Sequence, residues 1–135
     1  MVIDTSALIA ILRVEPEAEA FKNRIAIDDR PCVSAASLVE AHIVLRRNSP
    51  PLIRVLSRML EVAGAEIVPV DREIAQLANS AYDKYGRGTQ ANLNFGDLFS
   101  YATARKLNMP LLFKGRDFIH TDIESAIKTR PFPQP

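Results

Sequence analysis

The sequence holds a single cysteine in 135 residues, so no disulfide can close within the chain and a reducing cytoplasm is the expected setting. Cys32 stands in Pro31-Cys32-Val33, a strand-like apolar setting, and reads as a small core hydrophobe rather than a nucleophile. Charge of one sign is also lacking: the formal net charge is +1, which leaves no global field of the kind that announces a nucleic-acid binder. No apolar run approaches the ~20 residues that a membrane-spanning helix needs. The hydrophobic start meets an acid at position 4 and has no basic segment before it, so no signal peptide is expected. Internal repeats and low-complexity segments are absent as well.

What remains is the composition of an ordinary soluble domain, 47% hydrophobic and 24% charged. A chain of this length suits one domain, taken here as residues 1–130, with 131–135 (Pro131-Phe132-Pro133-Gln134-Pro135) as an irregular Pro-rich tail. Twelve of the seventeen basic residues are Arg, the side chain suited to bidentate contact with phosphate or carboxylate.

The first six residues organise the rest. Val2 and Ile3 are β-branched and fit a buried strand. Thr5 and Ser6 offer an N-cap to a helix over Ala7–Leu12, which places Asp4 at the C-terminal end of a strand, in a strand-to-helix turn. In open α/β sheets ligands collect at that edge. A lone Asp there can equally do no more than cap the helix.

Local signals divide the remainder. Pro16 fits the first position of a helix from Glu17 to about Ile27, and Cys32-Val33 reads as a second strand. A helix follows from Ser34 to about Arg47; Ser37 and Glu40 have capping-box spacing, with Ser34 the better cap. After Pro50-Pro51, Leu52, Val55, Leu56, Met59 and Leu60 recur at helical period until Gly64. Residues 66–70 form a strand, Asp71 caps the next helix, and Gly86-Arg87-Gly88 ends it. Asn94 caps a helix to about Leu107; Leu111–Phe113 is a fourth strand, and 123–127 is a candidate edge strand. Short apolar strands alternating with helices predict an α/β fold, a three-layer α/β/α sandwich on a short, mostly parallel sheet. The 52–63 helix, following another without a strand between, adds a helical hairpin to one side.

Four acids stand out against this frame. Glu40 is the only acid between Cys32 and Leu45, on a helix apolar around most of its circumference and so expected to be largely buried. A buried carboxylate must be paired, hydrogen-bonded or bound to a metal; Arg46 and Arg47 are the nearby ion-pair alternatives. Asp97 takes the N3 position behind Asn94, and Gly96 beside it is a poor helix former that implies close approach by something. Asp117 follows the fourth strand, with Asp122 as competitor. Carboxylates gathered at one edge repel unless a cation is present, and an all-oxygen set without His or Cys selects Mg²⁺ or Mn²⁺ over zinc. Such metals act on phosphoryl groups.

The segments Val2-Ile3-Asp4-Thr5-Ser6-Ala7-Leu8, Ser34 to Glu40, Asn94-Phe95-Gly96-Asp97 and Gly115-Arg116-Asp117-Phe118 together resemble the PIN-domain ribonucleases, and among them the VapC-type toxins of bacterial toxin–antitoxin pairs. The match in order and spacing runs from residue 1 to about 127. The resemblance implies that Asp4, Glu40, Asp97 and a fourth acid, Asp117 or Asp122, hold Mg²⁺ or Mn²⁺ and cleave RNA to 5′-phosphate and 3′-hydroxyl ends. Asp4 and Asp97 are then the direct ligands, and Glu40 binds through water or activates the attacking water. Thr5 and Ser6 are the nearby hydroxyls, one supporting a carboxylate or metal-bound water, the other capping the helix. Arg116 stands where related toxins often carry an acid or amide. With Arg13, Arg46, Arg47 and Arg87 it is a candidate contact for RNA or for the antitoxin. The resemblance further implies a homodimer and a cognate antitoxin that blocks the site, with the apolar helices at 7–12 and 52–63 as candidate surfaces. A phosphoacceptor signalling domain and an inactive PIN-like binding module are the competing classes.

Overall fold

A computed structural model describes residues 1–128; the segment 131–135 expected to be irregular lies outside them. Four strands, β1 (Val2–Ile3), β2 (Cys32–Ser34), β3 (Glu66–Val68) and β4 (Leu111–Leu112), form one sheet in the order β3-β2-β1-β4, with every pairing parallel. Six helices accompany them: α1 (Thr5–Leu12), α2 (Ala18–Ala26), α3 (Ala35–Asn48), α4 (Leu52–Ala63), α5 (Arg72–Tyr85) and α6 (Phe95–Leu107).

Strand alternation sorts the core into two layers. Ile3, Val33 and Leu112 point to one face, into a cluster with α1–α4. Val2, Cys32 and Leu111, one residue earlier on each strand, point to the other face and pack with α5 and α6. Because successive strand residues face opposite ways, β1, β2 and β4 each feed both cores, whereas β3 at the edge buries only Val68. The expected three-layer architecture follows, with α3 and α4 as the helical hairpin. Gly64, at φ +64°, takes the left-handed turn that ends α4.

Several boundaries differ from the sequence reading. The cap of α1 is Asp4 itself, whose side chain accepts from Ser6 N, rather than Thr5 or Ser6. Glu17 is the N-cap of α2, leaving Pro16 outside the helix. β3 stops at Val68, before Pro69, which has no N–H for a ladder. Residues 123–127 make only one bridge, Ser125 to Leu111, instead of an edge strand. Ser125 Oγ bonds both the N–H and the carbonyl of Ile127, and such local bonds compete with continued pairing.

Two helices sit differently from their expected burial. α3 is not largely buried: Ser37, Ala41 and Leu45 face inward while Val39 and Ile43 are exposed. Conversely, Ala7–Leu12 of α1 are all buried, so this helix is core and offers no broad outer surface. Among the described residues no helix is long and apolar enough to cross a membrane.

Candidate active site

Asp4 leaves the C-terminal end of β1 and is only 3% exposed. Its carboxylate is held by three donors. Ser6 donates twice to Oδ2, from its backbone N at 3.0 Å and from Oγ at 2.6 Å. Ser100 Oγ donates to Oδ1 at 2.6 Å. Capping and site geometry therefore coincide in one side chain. Of the two neighbouring hydroxyls, Ser6 supports the carboxylate, whereas Thr5 Oγ1 turns to Ser37 O at 3.2 Å and ties α1 to α3.

Glu40 comes from α3 and lies against the backbone of α6. A Cβ built on Gly96 would fall inside the Glu40 carboxylate, which explains a glycine in the first turn of a helix that it does not favour. Glu40 is half-buried and has neither a hydrogen bond nor an ion pair among the described residues, so pairing with Arg46 or Arg47 does not occur.

Asp97 opens α6 through a reciprocal capping box. Asn94 Oδ1 accepts from Asp97 N at 2.9 Å, and Asp97 Oδ2 accepts from Asn94 N at 3.0 Å. Burial pushes its carboxyl up from 3.8 to about 7; the Asn94 N–H works against this, and the charges of Asp4, Asp117 and Glu40 add to it. Asp97 thus feels the charges of carboxylates from three other segments of the chain.

The two candidates for the fourth acid differ in their surroundings. Asp122 accepts from the Tyr101 hydroxyl and lies 3.8 Å from Arg105, on the outer side of α6. Asp117, exposed in the 3₁₀ turn Asp117–His120, is the one whose charge reaches Asp97. Its loop is anchored by Lys114, whose backbone N donates to Ser6 Oγ at 3.0 Å and whose Nζ lies 2.7 Å from Glu15. Arg13, Arg46, Arg47, Arg87 and Arg116 are all exposed, and none pairs with a carboxylate among the described residues.

The donor set suits a hard divalent cation in chemistry and charge: four carboxylates, of which Glu40 and Asp117 have no hydrogen-bond or ion-pair partner among the described residues and Asp97 is raised toward neutrality. Among the described residues no group of three or more His, Cys, Asp or Glu side chains is already drawn up so as to hold a metal ion. Mg²⁺ does not require such a cage, because it commonly keeps several waters and takes one or two carboxylates together with substrate phosphate.

Sequence reasoning missed Ser100 altogether and gave Ser37 only a capping role. Both are buried, and their hydroxyls are 3.0 Å apart. The available signal was their spacing: Ser37 precedes Glu40 by one helical turn, and Ser100 follows Asp97 by one turn.

Known proteins resemble this chain over nearly its whole length. The family model described as PIN domain matches residues 1–124. Ribonuclease VapC28 of Mycobacterium tuberculosis is 45% identical over 133 residues, covering 96% of this chain and 100% of the relative. Ribonuclease VapC30 of the same species is 46% identical over 128 residues, covering 93% and 98% respectively. Among solved structures, VapC20 of M. tuberculosis, a toxin described as cleaving the sarcin–ricin loop, superposes with a TM-score of 0.73 at 20% identity, covering 96% of this chain and 98% of that one. A toxin–antitoxin complex from Klebsiella pneumoniae gives a TM-score of 0.70 at 18% identity, over 95% and 98%.

Proposed function

The chain belongs to the PIN-domain family, and from that premise we propose that it is an endoribonuclease, the toxin of a toxin–antitoxin pair, hydrolysing RNA phosphodiester bonds with Mg²⁺ or Mn²⁺. The observation that supports the reading is that Ser100, one turn after Asp97, holds Asp4, while Glu40 lies against Gly96 beside Asp97, in a chain 45% identical along its length to a ribonuclease.

In this reading Asp4 and Asp97 hold the cation directly and Asp117 extends the acidic rim. The cation would supply charge neutralisation for the phosphoryl group and a more acidic water. The residues themselves supply orientation. Asp4 is fixed by three donors, and Asp97 by the capping box. Glu40, on α3 and without a hydrogen-bond or ion-pair partner among the described residues, is free to accept a proton from the attacking water. The phosphoacceptor alternative loses support here: both oxygens of Asp4 are engaged as acceptors. Lys114 Nζ, the lysine such a domain needs at the site, faces Glu15 and Glu17.

Two surfaces fit the expected partners. A groove of about 780 Å³ between α2 and α4 is lined by Ile11, Ile25, Val55, Met59 and Val62, with Lys22, Arg54 and Arg58 on it. An antitoxin helix with an apolar face and acidic flanks matches that combination. A second copy of the chain is the occupant assigned to the exposed apolar side chains beside the site. Val39 and Ile43 bracket Glu40 on α3, and Phe95 precedes Gly96 on α6. This face continues from the Glu40–Gly96 contact, so a dimer formed there brings two sites close together.

The test is cleavage by purified protein freed of antitoxin. RNA should be cut with Mg²⁺ or Mn²⁺ and spared in EDTA, and Asp4→Asn should abolish cutting. Undiminished cleavage in EDTA would overturn the metal-dependent reading.

A further inference from the structure

The hydroxyl groups around Asp4 form a chain whose direction can be worked out. Ser100 has one hydroxyl proton and spends it on Asp4 Oδ1. In the 3.0 Å contact between Ser37 and Ser100, Ser37 must therefore be the donor. On the other side Ser6 spends its proton on Oδ2, so its oxygen is free to accept from Lys114 N. The order is Ser37 to Ser100 to Asp4, met from the opposite end by Lys114 N–H to Ser6 to Asp4.

Three members stand three residues along the chain from another acid. Ser37 precedes Glu40 by three residues, Ser100 follows Asp97 by three, and Lys114 precedes Asp117 by three. One connected set of hydrogen bonds, buried at Ser37 and Ser100 and part-buried at Ser6 and Lys114, thus touches every segment that carries a carboxylate. A carboxylate has about four acceptor positions. On Asp4 two are taken at Oδ2, and one at Oδ1. A single position remains, on Oδ1, the oxygen that Ser100 orients.

We propose that Ser100, held by Ser37, is a positioning residue that fixes the Asp4 carboxylate so that it offers a divalent cation one acceptor position, on Oδ1. The inference rests on the metal-dependent reading above and adds to it a residue, a direction and a denticity. Without the Ser100 bond, Oδ1 gains a second free position and the carboxylate loses one of its two anchors. Such outer partners of metal ligands are typically worth about 10–100-fold in metal affinity.

The experiment is a titration of the full chain, freed of antitoxin, with Mn²⁺ alone, following free Mn²⁺ by its paramagnetic resonance signal. Ser100→Ala should weaken Mn²⁺ binding by about 10–100-fold. Ser100→Cys, which keeps a weak donor, should fall between it and the original protein, and Ser37→Ala should weaken binding less than Ser100→Ala. RNA affinity in EDTA should not change in any of them, and cleavage by Ser100→Ala should recover when Mn²⁺ is raised. A residue needed only for folding would not give this pattern, because excess metal would not restore it and RNA affinity would fall too. Unchanged Mn²⁺ affinity in folded Ser100→Ala overturns the proposal alone. Should that variant not fold, unchanged Mn²⁺ affinity in Ser100→Cys and Ser37→Ala overturns it equally. An original protein that binds no Mn²⁺, or that cuts RNA in EDTA, overturns the functional reading and this proposal with it.

Discussion

The carboxylate of Glu40 occupies the space that a side chain at Gly96 would need. Glu40 on α3 can approach the first turn of α6, beside Asp97, because Gly96 there has no Cβ.

Gly96→Ala follows directly. The added methyl meets the end of a flexible side chain, so the fold survives while Glu40 is displaced from the cluster. Alanine is also the better helix former, by about 1 kcal/mol in a helix interior. Cleavage should fall by about 10²–10⁴-fold, the range expected for losing a positioned acid–base group, while the melting temperature stays level or rises. A variant that cuts RNA normally would place Glu40 outside the reaction.

Asp97→Asn separates site electrostatics from helix capping. With a folded value near 7 against an ordinary 3.8, Asp97 binds more protons in the folded chain than in the unfolded one between those values. Its charge therefore costs stability that grows as pH rises from about 4 to 7 and is relieved on acidification. In EDTA at pH 8, Asp97→Asn should be as stable as the original or more so, by about 0.5–2 kcal/mol after allowing for solvent screening; at pH 5 the gap should shrink. Mg²⁺ should raise the melting temperature of the original more than that of the variant. A lower melting temperature for the variant in EDTA at both pH values would mean that the helix-dipole interaction, worth about 0.3–1 kcal/mol, dominates.

Asp117 and Asp122 should part company on substitution. Asp122→Asn weakens the bond to Tyr101 and the pairing with Arg105, so it should lower stability by about 1 kcal/mol and leave cleavage nearly intact. Asp117→Asn, on an exposed carboxylate, should do the reverse. Melts and cleavage assays on the two variants decide between them.

Val14 carries a β-branched side chain at φ +54° and is 83% exposed, in the turn between α1 and α2. Left-handed backbone at such a residue costs about 1–3 kcal/mol. Val14→Asn tolerates the same backbone and should raise stability by about 0.5–1 kcal/mol with cleavage unaltered. Thermal unfolding alone checks it.

The two partner surfaces can be broken one at a time. Phe95→Asp, at an exposed apolar position, should shift the chain toward monomer in light scattering. Met59→Asp puts a charge in the groove between α2 and α4. It should release the antitoxin, read as cleavage that antitoxin no longer suppresses, without changing the oligomeric state. Equal effects of both substitutions on both readouts would merge the two surfaces into one.

The sequence by itself determined what local chemistry encodes. Caps at Ser34, Asp71 and Asn94 and the breaks at Pro50-Pro51 and Gly64 set the elements. Asp4, Glu40 and Asp97 stood out because each contradicts or exceeds a local need: an acid at a strand end, an acid on an apolar helix, an acid beside a glycine. Tertiary structure decided the rest, because the deciding partners are remote in the chain. Ser100 reaches Asp4 across 96 positions and Lys114 reaches Ser6 across 108, and no periodicity reports bonds of that span. Only the fold shows that Tyr101 and Arg105 engage Asp122. The object approaching Gly96 became identifiable only when α3 packed on α6. Hydrogen bonding and excluded volume act between neighbours in space, and only the folded chain makes Ser37, Ser100 and Asp4 neighbours.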